Sequence, residues 1–245
     1  MKKTWKIALG AVGGAVIAGG LIWAFAFPGL PWYLKVEKEY SHLQEQVKEF
    51  PTSISSLPED AKEYSGFGMT MKASKDLQVT ESANRIKLSG QDLTITFSPP
   101  FLFAGIPYYD SEEISADALK EFCDVNSLSV PQNEYEIDQL QYSITKEYFT
   151  MNNASVAKTF YQLADYKNDT YERFDTIYRL DGKGYRGFLR INTEFVDNIS
   201  AVAMIYPDRN PNQRISVFFE ALNTESILQI ADSITLESAA SSEAS

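Results

Sequence analysis

The sequence predicts an α+β fold: an antiparallel β-sheet flanked by helices, preceded by a single N-terminal transmembrane helix and a juxtamembrane helix. Three observations carry this. Residues 7–27 run without a charge. Several short segments farther on alternate apolar and polar side chains with period two, the mark of strands. Between them lie three segments whose apolar residues recur at helical spacing.

The chain has 245 residues with 22 Lys and Arg against 33 Asp and Glu, a net charge of −11. Residues 1–27 hold three lysines and no acid, so the remaining 218 hold 19 bases against 33 acids. This composition excludes a collagen, a disordered chain, a disulfide-stapled miniprotein and a polytopic membrane protein. An acidic body also repels phosphate, so nucleic acid is not an expected partner.

Ile7 to Phe27 is long enough, at about 1.5 Å per residue, to cross a ~30 Å hydrocarbon core. Trp5 stands at one end and Trp32 and Tyr33 at the other, where interfacial aromatics belong. Lys2, Lys3 and Lys6 keep the N-terminus inside. The lipid bilayer is therefore an expected partner through residues 7–27. A cleaved signal peptide, with Ala24-Phe25-Ala26 as its small-x-small site, is the alternative. Gly10, Gly14 and Ala18 form a small-residue face that could pair two such helices.

After Pro28-Gly29-Leu30-Pro31, the residues Tyr33, Val36, Tyr40, Leu43, Val47 and Phe50 are spaced 3, 4, 3, 4, 3. That predicts one helix ended by Pro51, either packed on its own domain or serving as a homodimer seam. Pro51 to Pro58 reads as a linker. Strands are predicted around Phe67, Met69 and Met71; Leu93, Ile95 and Phe97; Ile137 to Tyr148; Phe174 to Leu180; Tyr185 to Ile191; Ile199 to Tyr206; and Ile215 to Phe219. Helices are predicted over Ser115–Asn126, Asn153–Lys167 and Thr224–Ile234. The chain thus divides into a cytoplasmic N-terminus at 1–6, a transmembrane helix at 7–27, a juxtamembrane helix and linker at 28–59, an extracytoplasmic α+β domain at 60–236 and a disordered tail at 237–245.

The chemistry is sparse. His42 is the one histidine and Cys123 the one cysteine, so a catalytic triad, a thiolate cluster and an internal disulfide have no residues to use. Cys123 falls on the apolar face of its helix, as a buried inert thiol would. Gly182-Lys183-Gly184-Tyr185-Arg186-Gly187 spells G-x-G-x-x-G, but a strand follows it where a phosphate cradle needs a helix N-terminus. A hairpin with Gly182-Lys183 as its turn explains it better, which would place Asp175 opposite Arg190 and Arg179 opposite Arg186. Asp208, Asn210 and Asn212 match the start of a calcium loop, but Gln213 and Phe219 break the pattern, leaving a polar turn. No cofactor or metal is expected.

Two places could bind something. On the outer face of the hairpin, Arg179, Arg186 and Arg190 surround Ile177 and Phe188, a setting for an anionic group unless a helix covers them. The proline-broken run from Pro99 to Tyr109, with Phe101, Phe103, Tyr108 and Tyr109, is either an interaction patch or a loop filling core volume.

The antiparallel strands closed by Asn223-Thr224-Glu225-Ser226-Ile227-Leu228-Gln229-Ile230-Ala231-Asp232-Ser233-Ile234 resemble the end of PsbP-like α/β/α extracytoplasmic domains, over about a third of the chain. The resemblance implies a domain that binds or supports other proteins rather than catalysing. The expected function is a single-pass protein of a bacterial-type cell membrane, N-terminus cytoplasmic, whose outer domain binds a partner protein or an envelope polymer. The alternative is a carboxylate-dependent envelope hydrolase using Asp110, Glu112 and Glu113.

Overall fold

The computed structural model describes residues 26–40, 42–102, 108–109, 112–194 and 198–236. Most of the expected membrane helix, the tail, Phe103 and Asp110 lie outside them. No helix among the described residues is long and apolar enough to cross a membrane. The helices are α1 (Leu30–Glu39), α2 (Ala116–Val125), α3 (Glu134–Ser143), α4 (Ala154–Arg173) and α5 (Thr224–Asp232). The strands are β1 (Lys48–Glu49), β2 (Lys62–Gly66), β3 (Met69–Ala73), β4 (Gln78–Ser82), β5 (Arg85–Ser89), β6 (Leu93–Phe97), β7 (Phe101–Leu102), β8 (Tyr108–Tyr109), β9 (Glu112–Glu113), β10 (Thr176–Gly182), β11 (Tyr185–Asn192), β12 (Ile199–Pro207), β13 (Gln213–Ala221) and β14 (Thr235–Leu236). They form a mixed α+β fold in two compact units, one gathering residues 26–44, 107–130 and 144–168, the other 45–106, 131–143 and 169–236.

The first unit is helical. Ser115 caps α2 by accepting the Ala118 N–H at 3.2 Å, and Leu119, Phe122 and Cys123 are buried. Burial also pushes the Cys123 thiol up, keeping it protonated. Asn153 caps α4 through the Ser155 and Val156 N–H groups at 3.0 Å and 3.2 Å. Val156, Ala157, Phe160, Leu163 and Ala164 form its buried face at the predicted spacing. Against α4 lies α1. The Trp32 and Tyr40 rings are 5.2 Å and 5.5 Å from Tyr161, and the Tyr40 hydroxyl donates to Asp165 at 2.6 Å.

The predicted helix over 33–50 is shorter than its apolar spacing suggests. It ends at Glu39, Tyr40 is extended, His42–Gln44 makes one 3₁₀ turn, and Lys48–Glu49 is a strand. Lys167 holds the segment that follows the break. Its side chain is fully buried, and its ammonium donates to the carbonyls of Leu43 at 3.0 Å and Ile144 at 2.8 Å. A Leu43 carbonyl pointed at Lys167 is not available to a continuing helix.

The second unit centres on a nine-stranded sheet in the order β1-β10-β11-β12-β13-β6-β5-β4, with β7 also paired to β13. Strands β10 to β13 are an antiparallel meander, as their short connections imply, whereas β1 joins β10 in parallel. One face of the sheet, bearing Leu180, Leu189, Ile191, Ala203, Ile205 and Val217, is covered by α5 and the three-stranded sheet β14-β3-β2. Asn223 caps α5 by accepting the Ser226 N–H at 2.8 Å. Two sequence assignments change here. Phe67 is not in a strand: with Gly68 it makes a two-residue hairpin turn at φ 54° and 78°, the left-handed pair of a type I′ turn. Residues 137–148, expected as a strand, are α3 followed by the 3₁₀ turn Lys146–Tyr148.

The predicted β10–β11 hairpin exists with its register moved by one pair. Gly182 faces Tyr185, and the turn is Lys183-Gly184, where Gly184 takes φ 83°. Arg179 therefore lies opposite Phe188 and Asp181 opposite Arg186. The three glycines of the G-x-G-x-x-G pattern each answer a steric demand of this hairpin. A Cβ on Gly182 would overlap the Tyr185 ring, Gly184 needs its left-handed φ, and a Cβ on Gly187 would overlap the Met204 carbonyl on β12.

The buried ammonium makes one test of the first unit. Lys167→Met keeps the apolar stem but strands two buried carbonyls, which should lower unfolding free energy by about 2–4 kcal/mol in urea melts followed by circular dichroism. An unchanged midpoint would mean that the carbonyls of Leu43 and Ile144 find other donors.

Candidate functional site

Alternation puts Ile177, Arg179, Phe188 and Arg190 of the hairpin on the sheet face opposite α5, together with Arg186, Met204 and Tyr206. On that face β11 and β12 carry large apolar side chains that need a cover, and α3 supplies it. Tyr135 stacks on Phe188 with centroids 5.4 Å apart and planes 14° apart, and Tyr142 meets the same ring edge-on at 4.8 Å. Phe188 is 1% exposed and Ile177 fully buried.

The three arginines fill the margins of this aromatic layer. Arg186 lies 4.5 Å over the Tyr135 ring and 3.4 Å from Asp208. Arg190 lies 5.4 Å over Tyr142 and donates to its hydroxyl. Arg179 meets Glu49 at 3.4 Å. The sequence places these cations and Phe188 on one face, and the structure lays a helix across it. Of the apolar-run candidates, Phe101 is 59% exposed on β7. Tyr108 and Tyr109 belong to the short β8–β9 hairpin opposite Glu113 and Glu112.

Beneath α3 is a polar row that sequence reasoning missed. Glu134, Asp138 and Gln141 recur at i, i+4 and i+7, so they share one helix face, and all three are buried. Tyr206 of β12 donates its hydroxyl to Asp138. Burial first, and then the neighbouring Asp138 charge, push the Glu134 carboxyl up to about 7, against the opposing pull of Arg214. Neither side-chain atom of Gln141 has a hydrogen-bond partner among the described residues. The missed signal was a capping box. Asn133 accepts the Glu136 N–H at 3.0 Å and donates to its carboxylate at 2.9 Å, so Asn133-Glu134-Tyr135-Glu136 announces a helix start.

This row holds two buried carboxyls, and Glu134 has the proton affinity of a general acid. Its place, however, is between a helix and the sheet that the helix covers, not the open cleft a substrate needs. Among the described residues no group of three or more His, Cys, Asp or Glu side chains is placed to hold a metal ion. Asp208 lies in a turn closed by the Asn210 N–H donating to the Pro207 carbonyl at 3.0 Å, and Asn212 lies in the next, closed by the Gln213 N–H donating to the Asn210 carbonyl at 2.9 Å. A separate cleft of about 220 Å³ lies at the hairpin end, with Glu49, Phe50, Arg179, Asp181, Tyr185 and Asp232 in its walls. Burial and the charges of Asp232 and Asp181 hold the Tyr185 phenol protonated.

The exposed apolar residues of the second unit lie elsewhere. Phe218 on β13 is 44% exposed and pairs with Val202 and Thr96, and Val79 is 47% exposed on β4, an edge strand exposed along its whole length.

No family model matches this chain, and no curated protein matches it. A crystal structure of a Bacteroides thetaiotaomicron VPI-5482 protein, solved at 1.50 Å, matches over 74% of this chain and 50% of its own, at 7% identity and a TM-score of 0.33. The chain thus spans about half the length of that protein, and a likeness this slight carries no argument about fold or function.

Two measurements probe the polar row. The raised Glu134 affinity means that the folded state binds the extra proton. This group's contribution is therefore intact below about pH 4.5 and is lost as pH rises through about 7, at a cost of about 3 kcal/mol. Glu134→Gln should remove that fall, seen as a flatter stability profile from mildly acidic to mildly alkaline pH; identical profiles would place the titration elsewhere. Gln141→Leu removes two unmet polar atoms at similar volume and should raise the melting temperature by roughly 3–5 °C. A drop would mean that the amide has a bound partner.

Proposed function

We propose that this chain is a single-pass membrane protein, N-terminus in the cytoplasm, whose outer body binds a partner protein or an envelope component and performs no chemistry of its own. The observation that carries this reading is the uncharged run at residues 7–27, led by three lysines and followed by a body of 19 bases and 33 acids. The binding half of the proposal is supported by how the body spends its polar side chains. Arg179 and Arg186 are paired with acids, Arg190 with Tyr142, and the buried carboxyls sit beneath α3. Phe101 and Phe218 are left exposed on one face of the large sheet, side chains suited to contact rather than catalysis. The PsbP-like look of the last third of the chain points the same way.

The test uses the full chain in its own membranes. Alkaline carbonate should leave it in the pellet, and protease added outside intact cells should remove the body while sparing the short N-terminus and the membrane-embedded span. Release by carbonate, or a body shielded from outside protease, would overturn the reading.

A further inference from the structure

Helix α1 begins three residues after the apolar run, and the joint is tight. The Leu30 N–H donates to the Phe27 carbonyl at 3.0 Å, and the Gly29 N–H donates to the Met151 carbonyl at 2.8 Å. A Cβ on Gly29 would lie 2.8 Å from both the Ala157 Cβ and the Thr150 carbonyl, so only glycine lets the chain press this closely on α4. No flexible linker separates residue 27 from the first unit. A helix rises about 1.5 Å per residue, so Leu34 lies about 6 Å along α1 from Leu30. The polar layer on each side of a bilayer is about 5–8 Å deep.

The exposed side of α1 has a matching composition. Pro31, Leu34, Lys35 and Lys38, at i, i+3, i+4 and i+7, are all exposed and share one face, with Leu34 at 59%. The buried side is Val36 and Tyr40, packed in the first unit. Glu37, held by Lys146 at 2.9 Å, and the exposed Glu39, four residues after Lys35, border this face on its two sides. At the margin, the Lys35 ammonium lies 4.8 Å over the half-buried Trp32 ring and 5.0 Å over Tyr161. A leucine and two lysines beside a tryptophan are a side-chain set that settles among headgroups: the apolar tip dips inward, the Lys38 ammonium reaches phosphate, and the indole sits at the boundary.

We infer that α1 lies along the outer surface of the same bilayer that residues 7–27 cross, with the Pro31–Leu34–Lys35–Lys38 face seated among acidic phospholipid headgroups. The inference rests on the anchored reading above. The occupant is the bilayer because the apolar run ends three residues away and the Gly29 contact leaves the helix no slack to swing clear.

The test places an environment-sensitive fluorophore on the full chain at Leu34→Cys, Lys38→Cys or Glu37→Cys, with the buried Cys123 left in place and wild type as the labelling control. Each protein is reconstituted in vesicles of phosphatidylcholine and phosphatidylglycerol containing a headgroup-level spin-labelled lipid. Position 38, near the centre of the proposed membrane face, should be quenched roughly two-fold more than position 37, about 100° round the helix from it, with position 34 between the two. Equal quenching at the three positions, in protein that floats with the vesicles, would overturn the surface-lying helix and leave the anchor standing. Protein that fails to float would overturn the anchor and this inference with it.

Discussion

The packing of the second unit turns on one constraint, that strands β11 and β12 are apolar on both faces. An antiparallel sheet can leave one face to water, but not a face carrying Phe188, Met204 and Tyr206. One side is covered by α5 and the small β14-β3-β2 sheet. The other is covered by α3, and Phe188 is the point at which that cover is fastened, with Tyr135 flat against it and Tyr142 edge-on. Stacked and edge-on contacts each add about 0.5–1.5 kcal/mol beyond area burial, so this one ring orients the helix as well as burying it.

Once α3 is in place, the electrostatics of the layer follow. Arg186 and Arg190 fall beside tyrosine rings instead of in open water, and the tyrosines that cover Phe188 also supply the faces on which the guanidinium groups rest. The same placement takes Glu134, Asp138 and Gln141 out of solvent, where Asp138 gains the Tyr206 hydroxyl as a donor and the Gln141 amide gains nothing. A carboxyl with high proton affinity is often taken as a sign of catalysis. At Glu134 the first cause is burial beneath a helix and the second the neighbouring Asp138 charge.

The first unit obeys a different rule. Its helices meet through tyrosines, phenylalanines and one tryptophan, and its buried cation donates to backbone carbonyls. Lys167 binds the carbonyls of Leu43 and Ile144, residues far apart in the chain, so a single ammonium holds two separate segments onto α4. Gly29 acts in the opposite sense, through what it lacks: without a side chain, the segment leading into α1 sits directly on α4. Together these give α1 a defined exposed face immediately after the apolar run.

Local pattern was enough for much of this. Alternation assigns β6 and β10 to β13 and their faces, helical spacing assigns α2, α4 and α5, and Asn223 and Ser115 mark where two of those helices start. The acidic charge and the scarcity of His and Cys follow from composition alone. Local pattern could not set the β10–β11 register, because a slide by a whole pair keeps every side chain on its face; contact with β12 and the left-handed φ at Gly184 decided it. Nor could it end α1 at Glu39, since a 3, 4 spacing of apolar residues serves equally a long helix and a helix followed by a turn and a strand. The fate of Arg179, Arg186 and Arg190 was likewise settled by a partner distant in sequence. Whether a cationic face meets solvent depends on what else in the chain must be buried over it, and only the folded structure puts α3 there.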